Sequence, residues 1–162
     1  MDTQEAYQNA MDALKAKDYK AAERAFKIAF ESTPEILDQA NNGQYNNIQS
    51  YYGLTQVINS NENGLLLCRD AASKETYDGD VFLNLACAEL ESDNRKRAIE
   101  AIQQGMKIEP HNARVRRACA MLDCRKKCCL GFMPRQHRLN HFFGRFRRRP
   151  REEITVHGLL YE

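Results

Sequence analysis

Tryptophan is absent from this chain, and glycine and proline are scarce, eight and four among 162 residues. So few breakers argue against a turn-rich all-β fold and leave room for helices. No apolar run approaches the roughly 18 residues that a membrane span needs. The opening MDTQEAYQNA is acidic and polar, unlike a secretory leader. On that reading the chain stays in a reducing cytoplasm, where its six cysteines are thiols rather than disulfides. Signatures of catalysis are missing too. There is no phosphate loop, no G-x-S-x-G and no dinucleotide fingerprint. Carboxylates are scattered at the density of solvated helix faces; Glu89 and Glu91 point in different directions on a helix and form no acid–base dyad. His111, beside Pro110, reads as a surface residue of a turn. The expectation is a protein that is not an enzyme and needs no cofactor.

What is present is a chain long enough for one domain with a real core. Its net charge of +2 hides an asymmetry. Residues 1–112 carry 11 Lys/Arg against 18 Asp/Glu, net −7, whereas residues 113–162 carry 13 against 4, net +9. An acidic body therefore precedes a basic arm.

Helical periodicity begins at once. Ala6, Ala10, Ala13 and Leu14 recur at helical spacing through Lys17, with Asp2 or Thr3 placed to cap the first turn. After a break at Lys17-Asp18, a second helix spans Tyr19 to Glu31, with Ala22, Ala25, Phe26 and Ala29 in register, and Pro34 closes it. The set Ala22-x₃-Phe26…Pro34 resembles the second half of a tetratricopeptide repeat. The first half is degenerate, since Ala6, Asn9-Ala10 and Ala13 stand where Trp, Leu-Gly and Tyr are wanted. A better first half occurs at Phe82-x-x-Leu85-Ala86, followed by Ala98-x₃-Ile102 and Pro110. Pro34 and Pro110 lie 76 residues apart, eight more than two repeats of 34.

The resemblance implies an all-α, right-handed superhelix of antiparallel helix pairs. Repeats are expected at about 3–36, 45–78 and 79–112, then a capping helix at about 112–129 and a basic arm at 130–162. Counting back 34 from the third repeat assigns Ile48, Tyr51 and Tyr52 to the large positions of the middle one, with Gly64, Cys68 and Ala71 on its second helix. The surplus falls at Leu37–Gln44; a long helix from Pro34 to Ile58 also fits. Val115, Ala118, Cys119 and Leu122 give the capping helix one apolar face.

Ligands of this family lie on the concave face of the first helices. The resemblance implies groove positions Gln4, Tyr7, Met11 and Leu14, then Asn46, Gln49 and Gln56, then Asp80, Leu83, Cys87 and Leu90, and finally Arg114, Arg117 and Met121. Leu83, Cys87 and Leu90 form an apolar stripe left over from the core face, to be met by a ligand, by the arm or by a loop. Asp80 occupies a position where the family's clamp for acidic peptide tails wants lysine, with Asn84 the one match, so such tails are not the expected ligand.

In the arm, Leu139, Phe142, Phe143 and Phe146 share one face of a helix, among Arg135, Arg138, Arg145, Arg147, Arg148 and Arg149. That pattern suits docking on the acidic body, a second copy of the chain or an anionic membrane surface, with nucleic acid the least favoured. Cys124, Cys128, Cys129, His137 and His141 have a C-x₃-C…H-x₃-H order. The loop between the pairs has only eight residues, against about 12 in zinc fingers. Plain thiols are favoured over metal. Residues 151–162 read as an extended or disordered end. The functional expectation is a cytoplasmic, non-catalytic scaffold, adaptor or assembly factor that binds a partner peptide or helix. A chaperone for an apolar client is the alternative, and an RNA-associated factor a weaker one.

Overall fold

Small residues at helical spacing let neighbouring backbones approach closely, and the chain folds into adjacent helix pairs. The computed structural model describes residues 2–33, 43–122 and 154–161. Eight helices lie among them: α1 (Thr3–Lys15), α2 (Tyr19–Ser32), α3 (Gly43–Ile58), α4 (Asn63–Lys74), α5 (Gly79–Glu91), α6 (Arg95–Ile108), α7 (Ala113–Leu122) and α8 (Val156–Tyr161). No strand occurs among the described residues, and none of their helices is long and apolar enough to cross a membrane. α1 packs on α2, α3 on α4 and α5 on α6, while α7 packs on α5 and α6. Such adjacent pairing is compatible with a helical repeat fold. The capping-helix residues beyond Leu122, and the arm set Arg138, Leu139, Phe142, Phe143, Arg145, Phe146, Arg147, Arg148 and Arg149, lie outside the described residues. So do the surplus positions 37–42 and the cysteine–histidine set at 124–141.

Each pair turns in the same way. Lys17, Ser60 and Asp93 adopt left-handed backbone, with φ of 63°, 68° and 58°. The next amide then bonds five residues back: Asp18 N–H donates to Ala13 O at 2.9 Å, Asn61 to Gln56 at 2.8 Å and Asn94 to Glu89 at 2.7 Å. These bonds satisfy carbonyls that a helix end leaves open. The turns lie 43 and 33 residues apart, so the extra length falls in the first interval. Side-chain caps start the next helices: Asp18 Oδ1 accepts from Ala21 N at 3.0 Å, and Asp78 Oδ1 accepts from Asp80 N at 2.8 Å. Asp2 caps α1 through its backbone oxygen, not its side chain.

Packing repeats with the turns. Ala6, Ala10 and Leu14 of α1 and Ala22, Phe26 and Ala29 of α2 are fully buried. In the third pair the same places hold Phe82 and Ala86 of α5, with Ala98, Ile102 and Gly105 of α6, all buried. In the middle pair two glycines face each other across the helix contact. A Cβ built on Gly64 would lie 2.2 Å from Gly53 O, and one on Gly53 would lie 2.6 Å from Gly64 O.

That contact corrects the middle register. Gly53 is the small residue of α3 that meets α4, one position after Tyr52, which an offset of 34 aligns with the small Ala86. From Ser60 to Gly64 is four residues, whereas Lys17 to Ala22 and Asp93 to Ala98 are five. The middle hairpin is thus one residue short, and an offset of 34 fits its second helix but slips its first by one. One residue is about 100° of helix rotation, enough to turn a face away. Two further expectations change. Glu89 is buried, with only 3% of its side chain exposed, and holds Arg69 through two bonds of 2.8 and 3.0 Å. The chain end is not extended: Val156–Tyr161 is helical and packs on α5 and α7. Six residues are too few for a stable isolated helix, so packing rather than local pattern makes α8.

Candidate functional site, the face of the first helices

The first helix of each pair, with α7 after them, contributes to one continuous polar and aromatic network. Tyr7 Oη on α1 donates to Asn47 Oδ1 on α3 at 3.0 Å, and Asn47 Nδ2 donates to Asp78 Oδ2 at 2.5 Å. Asn84 Nδ2 on α5 donates to Ser50 Oγ on α3 at 2.9 Å. Arg114 Nη1 on α7 donates to Tyr51 Oη at 3.1 Å and also pairs with Asp80 on α5. Asp80 Oδ1 accepts from Asn112 Nδ2 at 3.1 Å. Aromatic packing underlies the network: Phe26 stacks on Tyr51 with ring centroids 5.3 Å apart, and Tyr7 meets both edge-on. Four helices are thereby tied at fixed spacing.

Burial governs the electrostatics. It pushes the Tyr7 and Tyr51 hydroxyls above the ordinary phenol range, and the Cys87 thiol up to about 12. All three are therefore neutral groups at physiological pH. Burial also raises Asp78. For Arg114, burial opposes the cation, but the Tyr51 hydroxyl and the Asp80 carboxylate more than offset it, and the guanidinium stays charged. Charge-assisted bonds of this kind contribute about 1.5–3 kcal/mol. Asp80→Asn should therefore lower the unfolding free energy by about 2 kcal/mol in a urea titration. Glu91→Gln, an exposed carboxylate on the same helix, should change it by less than about 0.5 kcal/mol. Equal effects from the two would remove Arg114–Asp80 as a tie between α5 and α7.

The sequence-derived groove positions divide into three groups. Tyr7, Asp80 and Arg114 join the network. Gln4 is exposed, and Met11, Leu90, Arg117 and Met121 are half-buried, whereas Leu14, Leu83 and Cys87 are wholly buried. The middle set is corrected: Asn46, Gln49 and Gln56 face away, toward α4 and the loop after it. Asn46 Nδ2 donates to Glu75 Oε2 at 3.1 Å and Gln49 Nε2 to Asp70 Oδ2 at 2.8 Å. The Gln56 Cβ lies 2.7 Å from where a Gly64 Cβ would sit. The one-residue slip explains all three. Asn47 and Ser50 take the places of Asn46 and Gln49, which the sequence hides unless the Gly53–Gly64 contact is used to set the register, and Tyr51, read as a packing residue, joins them.

α8 completes the site. Val156, Leu159 and Leu160 are 6%, 0% and 2% exposed and belong to the same buried cluster as Tyr51, Leu83, Cys87 and Val115. Burial, with Tyr51 second, pushes the Tyr161 hydroxyl up to about 12, and Arg114 acts against it. The Tyr161 ring packs against the buried cluster that includes Tyr51. Among the described residues no group of three or more His, Cys, Asp or Glu could hold a metal ion.

The class that fold and site define is an all-α protein of adjacent helix pairs, with a short terminal helix against α5 and α7. Neither a protein-family model nor a curated protein matches the chain.

Proposed function

We propose that this protein is a non-catalytic interaction scaffold of the tetratricopeptide type, which binds a helix of a protein partner on the face of its first helices. The observation that carries this reading is α8, a short helix whose apolar side chains are buried against α5 and α7. A surface that accepts one amphipathic helix has the shape and apolar area to accept another, recognised by side chains at i, i+3 and i+4. The network of Tyr7, Asn47, Tyr51, Asp80 and Arg114 keeps that surface rigid, which limits the ordering cost of binding. The basic arm would add a contact to the partner, a membrane surface or the acidic body.

Photocrosslinking tests this reading. A photoreactive residue is placed at Gln4, Met11 or Arg117 on the first-helix face. Controls carry it at Ile28 or Leu66, which are 40% and 62% exposed on α2 and α4. The scaffold reading expects one discrete adduct from the first set and none from the second. Equal adduct yields from both sets would reject it.

A further inference from the structure

We infer that α8 is an internal ligand of the first-helix face, and that a partner helix with the same i, i+3, i+4 apolar pattern reaches the face by displacing it. The inference rests on the proposed scaffold reading and adds to it both regulation and the chemistry of the partner. Val156, Leu159 and Leu160 supply that pattern, and all three are buried.

Three observations make α8 a displaceable occupant rather than a fixed part of the core. It has six residues, too few to stay helical once it leaves the face, so folding and docking are one event. Second, the contact is imperfectly matched. Tyr161 Oη on α8 is buried without a hydrogen-bond partner. Buried polar atoms without partners oppose the burial that holds the helix down. Third, the face is built without α8: the bonds among Tyr7, Asn47, Tyr51, Asp80, Asn112 and Arg114 involve no residue of it. Thirty-one residues separate Leu122 from Ile154. A ligand tethered in the same chain competes at an effective concentration on the order of millimolar. A free helix of equal quality is therefore outcompeted until the tether or the contact is weakened.

The test uses the full chain and a fluorescent peptide of residues 154–162, ITVHGLLYE. In the variant Leu159→Asp/Leu160→Asp the face should be vacated, and peptide binding by fluorescence anisotropy should be at least tenfold tighter than to wild type. Alkylation of Cys87, fully buried in the native chain, should quicken at least tenfold in the variant and slow again when peptide is added. Equal peptide affinity for wild type and variant would overturn self-occupation while leaving the scaffold reading intact. Binding to neither protein, with native helicity retained by circular dichroism, would also overturn the inference; the photocrosslinks report separately on the scaffold reading. Should the double variant fail to fold, Leu160→Ala decides: the inference requires it to tighten peptide binding several-fold, and no change would overturn it.

Discussion

Replacing Gly64 by alanine should destabilise the protein by about 2 kcal/mol or more, against the usual direction of that change in a helix. Even in a helix interior alanine in place of glycine gains only up to about 1 kcal/mol, and Gly64 lies in the first turn of α4. Here the new Cβ would meet Gly53 O at 2.2 Å, Gln56 Cβ at 2.7 Å and Val57 N at 2.9 Å. Two of these are backbone atoms, which cannot swing aside, so α3 and α4 must separate. Overpacking of this kind costs about 1–3 kcal/mol and occasionally more. Gly53→Ala meets Gly64 O at 2.6 Å and Cys68 Sγ at 2.8 Å and should act in the same direction. Because both changes force apart one contact, the double variant should cost less than the two single losses added together. Gly43 is the control, since a Cβ there has nothing within 4 Å. Gly43→Ala should be neutral or stabilising by up to about 1 kcal/mol. Urea midpoints decide the matter: if Gly64→Ala behaves like Gly43→Ala, the spacing of the middle pair is not set by this contact.

Arg69→Ala is expected to be the most damaging change at an ion pair in the described part of the chain. Arg69 grips both oxygens of Glu89, and the two side chains are 35% and 3% exposed. Taking away the guanidinium leaves a carboxylate inside the α4–α5 contact with no counter-charge. Loss of one partner from a fully buried pair costs about 3–5 kcal/mol. Solvent reaches Arg69 and lowers that figure to about 2–3 kcal/mol here. The damage comes from the stranded charge and not from a lost attraction, so Arg69→Met/Glu89→Met should recover most of the stability. A thermal melt of the single and double variants separates the two accounts. A single variant within about 0.5 kcal/mol of wild type would show that water solvates Glu89 in the native state.

Both predictions concern places where local sequence pattern misleads. Glu89 follows Leu85, Ala86 and Cys87 in a helix and reads as one of many surface carboxylates. Only the position of Arg69, twenty residues away on α4, makes it an interior group. Likewise, Gly64 reads as a weak point of α4 until Gly53 is set against it. The repeat pattern places Tyr51 among packing residues, which is half of its role. Its ring stacks on Phe26, while its hydroxyl accepts from Arg114, sixty-three residues further along.

Periodicity and the repeat resemblance suffice for the helical class, the pairing of neighbours and the small-residue packing of the first and third pairs, although Leu14, Leu83 and Cys87, expected in the groove, are buried. The reason is that small residues and one large one at 3.6-residue spacing leave a helix few ways to bury them. Ala22, Phe26 and Ala29, and Ala98 and Ile102 as counterparts of the first two, needed nothing beyond that periodicity. The proline spacing of 76 also gave the total surplus correctly, because it equals the span between the first and third turns, Lys17 and Asp93. How that surplus divides is visible only in the folded chain, since the turns use Lys, Ser and Asp in left-handed backbone and not the glycine that would mark them. One missing residue in the middle hairpin then moves Asn47, Ser50 and Val57 into the register that an offset of 34 assigns to Asn46, Gln49 and Gln56. Tertiary structure alone also made a helix of Val156–Tyr161, because a segment that short takes its conformation from what it packs against.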